Sequence, residues 1–115
     1  MFAVVRRYTG ASPLIDAMDS RRGEVQEIIG GVPGFVAYYA VRSGDGLTTI
    51  TVCDDRAGAA ESTRRAGQWV RENLPGVDIA APEVSEGDVF ISFSGNGTGV
   101  APSLGSALNA PRAPA

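Results

Sequence analysis

Residues 35–53 read FVAYYAVRSGDGLTTITVC, and this stretch decides the fold. Phe35 to Arg42 and Leu47 to Cys53 are runs of β-branched and aromatic residues with no breaker inside them. Ser43-Gly44-Asp45-Gly46 between them is turn chemistry. Two strands joined by four such residues form an antiparallel hairpin. The fold then depends on what flanks the hairpin.

On the N-terminal side, Leu14, Ile15, Met18, Val25, Ile28 and Ile29 recur at helical spacing. They predict one helix, starting at Ser12-Pro13 and stopped by Gly30-Gly31 and Pro33. Before it, Phe2 to Thr9 (FAVVRRYT) reads as a strand. On the C-terminal side, Asp54 or Asp55 caps a helix that runs to about Leu74. Its wheel gathers Ala59, Ala60, Thr63, Ala66, Gly67, Val70 and Leu74 on one side, with Trp69 at the edge of that stripe. Pro75-Gly76 ends it, and Val77 to Pro82 is a short candidate edge. Asp88 to Phe93 (DVFISF) is expected to be the last strand.

The order is therefore β-α-β-β-α-β, an α+β, ferredoxin-like arrangement. It predicts an antiparallel sheet with two helices on one face. The domain is expected to span residues 1–93. Residues 94–115 hold one charge, Arg112, among Gly, Ala, Pro, Ser and Asn, and read as a tail. The strands in addition carry an apolar second face. Ala3 and Val5 alternate with Phe2 and Val4, and Ala37, Tyr39 and Val41 alternate with Val36, Tyr38 and Ala40. A sheet covered by helices on one side should be polar on the other, so this face predicts a partner, most simply a second copy.

Composition narrows the function classes. The 115 residues suit one domain, and 43 % hydrophobic with 20 % charged is globular. A net charge of −3 with no basic surplus argues against nucleic acid as a partner. No apolar run has the length of a membrane span, so no membrane partner is expected. The start MFAVVRRYTG lacks the form of a signal peptide, which predicts a cytoplasmic location. The chain has no histidine and one cysteine, Cys53. The commonest general base and transition-metal ligand is missing, and no metal or other cofactor is expected.

Pro33-Gly34-Phe35 leading into Tyr38-Tyr39 and Val41-Arg42 carries a family resemblance. So does LTTITVCDD running into a helix with Ala60, Ser62, Ala66 and Trp69-Val70. Over about residues 1–93 the chain resembles the dimeric α+β barrel superfamily, and within it the antibiotic-biosynthesis-monooxygenase-like domains. The resemblance implies a homodimer whose two sheets pair into a barrel. Several such proteins oxidise aromatic polyketides without a cofactor, some break down haem, and others have no assigned activity. The haem-degrading members use a histidine ligand that this chain lacks. The usual asparagine–tryptophan pairing is not cleanly reproduced, because Asn73 follows Trp69 and Ser62 lies well before it.

The candidate site residues are Trp69, Ser62, Asn73, Tyr38, Tyr39 and Arg6. Trp69 either lines a pocket with Ser62 or Asn73 as polar partner, or packs at a boundary with its N–H toward solvent. Tyr38 and Tyr39 are neighbours on a strand and so face opposite sides, one toward the helices. Arg6, like Arg7 and Arg42, is either an anion holder in a cavity or a charge paired with Asp54, Asp55 or Asp88. Cys53 precedes a helix and is either reactive or a small buried apolar group. Gly95-Asn96-Gly97-Thr98-Gly99 lacks the lysine of a phosphate loop. Whether the protein is an enzyme stays open at this point. One reading is a cofactor-independent monooxygenase on a small aromatic substrate. The alternatives are a non-enzymatic ligand-binding or structural dimer, and a subunit whose tail docks on another protein.

Overall fold

The computed structural model describes residues 1–95. The expected glycine-rich loop from Asn96 onward and most of the tail fall outside them. The elements are β1 (Phe2–Tyr8), α1 (Ser12–Ser20), α2 (Arg22–Gly30), β2 (Phe35–Ser43), β3 (Gly46–Cys53), α3 (Arg56–Asn73) and β4 (Glu83–Asp88). The four strands form one antiparallel sheet in the order β2-β3-β1-β4, the ferredoxin-like arrangement. The helices lie against one face. On it, Phe2, Val4 and Arg6 of β1 and Leu47, Thr49, Thr51 and Cys53 of β3 are buried.

Five local features depart from the sequence reading. The first helix is two, broken at Arg21, whose φ is −126°. Between Met18 and Val25 the chain has no apolar side chain to press onto the sheet, so nothing there holds a straight axis. Its start also differs: Ala11 takes the cap position with no side-chain bond, and Ser12 is already helical. The Ala11 N–H donates to the Asp45 carbonyl at 2.8 Å instead, tying the helix start to the β2–β3 turn.

The last strand is Glu83–Asp88 rather than 88–93. Its register begins with Glu83 opposite Arg7 and ends with Asp88 opposite Phe2, where β1 runs out. The Val89 N–H still reaches the Met1 carbonyl at 2.9 Å. Beyond it Phe90, Ile91 and Phe93 stand largely exposed, because no backbone is left to pair with. Strand propensity without a partner makes no strand.

The buried stripe of α3 is rotated from the expected one. Gly58, Ala59, Ser62 and Trp69 are buried, while Ala60 and Thr63 are exposed. Trp69, placed at the edge by the wheel, carries the largest apolar area on the helix and turns it inward. Finally, β2 slips by one residue between Phe35 and Ala37. Phe35 therefore pairs with Cys53, and Tyr38, Ala40 and Arg42 pair with Thr51, Thr49 and Leu47. The second face of the sheet carries Ala37, Tyr39, Val41, Ile50 and Val52, and no element of the described residues covers it. Tyr39 is 60 % exposed there.

Candidate ligand site

The interior is divided. One apolar cluster holds Phe2, Val4 and Ala59, and the other holds Ala11, Leu14, Ile15, Leu47 and Trp69. Arg6 stands between them on β1 and is 1 % exposed. Strand alternation puts it there, two residues from Val4 and two from Tyr8 on the helix-facing side. Its guanidinium donates Nη1 to Thr49 Oγ1 at 3.3 Å and Thr51 Oγ1 at 3.2 Å. Nη2 donates to Ser62 Oγ at 2.8 Å and Thr63 Oγ1 at 2.9 Å. The Ser62 hydroxyl in turn donates to the Ala59 carbonyl at 2.6 Å. Four neutral hydroxyls thus hold a buried cation, and Nε has no partner. The expected pairing of arginine with Asp54, Asp55 or Asp88 does not occur; the ion pairs among the described residues join Arg22 to Asp19, and Arg64 and Arg65 to Glu61.

Next to this polar layer is a small cavity of about 30 Å³. Tyr8, Tyr38, Thr49, Trp69 and the apolar ends of Leu14 and Val70 help to line it. It has room for about one water-sized molecule. Outside it a cleft of about 1120 Å³ opens between α1–α2 and β2. Met18, Val25, Ile29, Tyr38 and Leu47 border both spaces, so this set of side chains is the partition between them. Arg42 and Arg22 stand at the cleft.

The sequence candidates separate into groups. Arg6 and Ser62 are bonded to each other, and Tyr38 and Trp69 share the small cavity with Thr49, which Arg6 holds. Tyr39 lies on the opposite face of the sheet, although it also borders the cleft. Asn73 is elsewhere: its Nδ2 donates to the Trp69 carbonyl at 2.9 Å, and its Oδ1 accepts from Arg21. It closes the end of α3 against the α1–α2 break and borders neither space. The Trp69 ring is buried and its Nε1–H donates to Glu24 Oε1 at 2.6 Å. That bond ties α3 to α2, and the indole meets the cavity through its apolar ring.

Four participants escaped the sequence reading, among them Thr63, which the wheel gave only a packing place. Thr49 and Thr51 were visible as polar residues alternating with Leu47 and Cys53 on one face of β3, a signal that the first strand's Arg6 had acceptors beside it. Glu24 sits on a helix surface in sequence and carried no such signal.

The electrostatics follow from burial. Desolvation pushes the Tyr38 phenol up to about 12, with Arg6 pulling the other way. Tyr8 is raised for the same reason, again opposed by Arg6. Cys53 is fully buried, and burial together with Asp55 and Asp54 raises its thiol. It is a packed thiol rather than a nucleophile, despite preceding α3.

No model of a known protein family matches the sequence, and no curated protein matches it. Solved structures do match. The fold is that of the antibiotic-biosynthesis-monooxygenase-like α+β domains. SnoaB, a cofactor-independent oxygenase from Streptomyces nogalater, aligns over 79 % of this chain and 94 % of its own, at 18 % identity and a TM-score of 0.56. MhuD, a haem degrader from Mycobacterium tuberculosis with two haems in its active site, aligns over 82 % of this chain and 100 % of its own, at 9 % identity and a TM-score of 0.59. MupZ from Pseudomonas fluorescens aligns over 72 % of this chain at 16 % identity and a TM-score of 0.55, and the chain spans 65 % of MupZ. At identities this low the likeness is one of fold alone.

Proposed function

We propose that this domain binds a small, flat, largely apolar molecule between its helices and its sheet, and oxygenates it without a cofactor. The observation that carries the reading is the cleft between α1–α2 and β2, separated from the Trp69 cavity by one layer of side chains that includes the flexible Met18. A likeness in fold to a cofactor-independent oxygenase agrees with it. Such chemistry needs an electron-rich aromatic substrate held beside a dry space that admits dioxygen: a ring CH2 or its hydroxyarene tautomer becomes C=O with one oxygen atom, and the other leaves as water with the two hydrogens the substrate gives up, so the substrate supplies all four electrons. The second reading is a non-enzymatic ligand-binding or structural domain. The smallness of the inner cavity, about 30 Å³, favours it.

The same proposal includes a homodimer. The uncovered sheet face with Val41 and Tyr39, and the exposed Phe90 and Phe93 beyond β4, present apolar surface that water opposes. Light scattering at micromolar concentration is expected to give twice the chain mass, and a monomer mass would refute this part.

Trp69 reports on the ligand site. Titration with a panel of aromatic hydroquinones is expected to quench its fluorescence saturably, followed by oxygen uptake with the quenching ligand. Quenching without oxygen uptake selects the non-enzymatic reading. No quenching by any aromatic in a correctly folded sample refutes the ligand site.

A further inference from the structure

We infer that residues 89–93 of one copy add as a strand to the open β2 edge of a second copy, so that Phe90 becomes a wall of the partner's cleft. The inference rests on the homodimer reading above. It adds which segments meet and what their meeting does to the ligand site.

Two unsatisfied features of the chain carry it. Val89 to Phe93 reads VFISF, a run of strand formers outside any strand. Phe90 is 91 % exposed there and Phe93 88 %. At the far side of the sheet β2 is an edge, and among the described residues nothing pairs with its outer backbone. Natural edges are blunted by shortness, by Lys or by Pro. β2 runs for nine residues, holds neither Lys nor Pro, and carries no charge before Arg42. Its slip lies only at its start, between Phe35 and Ala37. An apolar strand without an edge and an apolar edge without a strand are complementary.

The two do not meet within one chain. β3 and β1 separate β2 from β4 by about 14 Å at the usual strand spacing. A two-fold axis that brings the uncovered sheet faces together and runs along the strands sets the β4 edge of each copy beside the β2 edge of the other. β2 and β4 run in opposite directions within the sheet, and such an axis keeps that relation, so the added pair is antiparallel. Strands of a closed barrel tilt, and the edges stagger along each other. That stagger gives a segment that overruns β1 a place on β2. An axis across the strands instead sets β4 against β4. Glu83, Glu86 and Asp88 then face their own copies, and like charges oppose that arrangement.

The consequence falls on the cleft. Val84 and Asp88 pair with Arg6 and Phe2, which face the helices. Alternation then puts Phe90 and Ser92 on the helix-facing side, and Val89, Ile91 and Phe93 between the sheets. On the partner, the helix-facing side of β2 carries Tyr38, Ala40 and Arg42, which border its cleft. Phe90 stands beside them, one strand spacing away, and offers a flat ligand an aromatic face at the open side. Each cleft is completed by the other chain.

Cross-linking of full-length chains tests this. Phe90→Cys is refolded together with Val36→Cys, Ala40→Cys or Arg42→Cys and treated with a short bismaleimide. Ser92→Cys takes the place of Phe90→Cys if that variant does not fold. The wild type, whose Cys53 is buried, is the blank. A cross-linked dimer is expected from at least one mixture and from neither variant alone. Light scattering on the same samples reads the mass. A dimer mass with no mixed cross-link, or with a link formed by Phe90→Cys alone, overturns the strand addition and leaves the homodimer standing. A monomer mass overturns both. Phe90→Ala, in the dimer, is expected to weaken hydroquinone quenching of Trp69 several-fold. Unchanged affinity overturns the shared wall, and absence of quenching in the wild type overturns it together with the ligand site.

Discussion

Replacing Gly58 with alanine should destabilise the protein, although alanine is the better helix former. Gly58 lies in the first turn of α3, packed against Pro33 and Cys53. A Cβ there would stand 2.8 Å from the Pro33 carbonyl oxygen and 3.0 Å from Cys53 Cβ. Neither neighbour is the free end of a long side chain. One is backbone, and the other is a fully buried residue in the sheet, so α3 must move. Overpacking of this kind costs about 1–3 kcal/mol, and two contacts this short place Gly58→Ala in the upper half of that range. The gain in helix propensity returns up to about 1 kcal/mol. The net loss is about 1–2 kcal/mol, or roughly 5–15 °C in Tm for a domain of this size. Urea denaturation followed by far-UV circular dichroism gives the midpoint and slope. Gly23→Ala in α2 is the control, since a Cβ there meets nothing within 4 Å. It should stabilise by up to about 1 kcal/mol. If both variants shift the midpoint in the same direction by similar amounts, the close seat of α3 on Pro33 and Cys53 is wrong. That seat also sets the distance from Ser62 to Arg6. Gly58→Ala should therefore weaken ligand quenching of Trp69 as well.

Other outcomes follow from the same contacts. Asp55 caps α3 by accepting from the Gly58 N–H at 2.9 Å, so Asp55→Ala should cost about 1 kcal/mol in urea and Asp55→Asn much less. The Tyr38 phenol is raised on folding from 10.0 to about 12, so the folded state holds its proton more tightly than the unfolded chain. Its contribution is complete below pH 10 and is lost as pH rises toward 12. The stability gap between wild type and Tyr38→Phe should shrink over that window, and a gap that grows with pH would contradict the burial of the ring. Cys53 should resist thiol reagents in the native protein and react at once in denaturant; rapid native labelling would show that the strand end opens.

Much of this protein was determined by the chain read alone. Period-two and helical spacing are local properties, so the hairpin at 35–53, the helical character of its flanks and the ferredoxin-like order could be read directly, though not the break at Arg21. The same alternation placed Arg6 with Phe2 and Val4, and set Tyr38 and Tyr39 on opposite faces. What depended on partners distant in sequence could not be read. The run DVFISF is a good strand by propensity, yet pairing stops at Asp88 because β1 ends at Phe2. The slip after Phe35 changes which side chains of β2 meet the helices, and only the register with β3 reveals it. Trp69 is central rather than peripheral because the rotation of α3 is settled by what lies beneath it. The Arg6 cluster draws hydroxyls from β3 and α3, 43 to 57 residues away. Each of those residues is unremarkable on its own element. Their convergence on one buried cation is a property of packing, which the sequence encodes only through the whole fold.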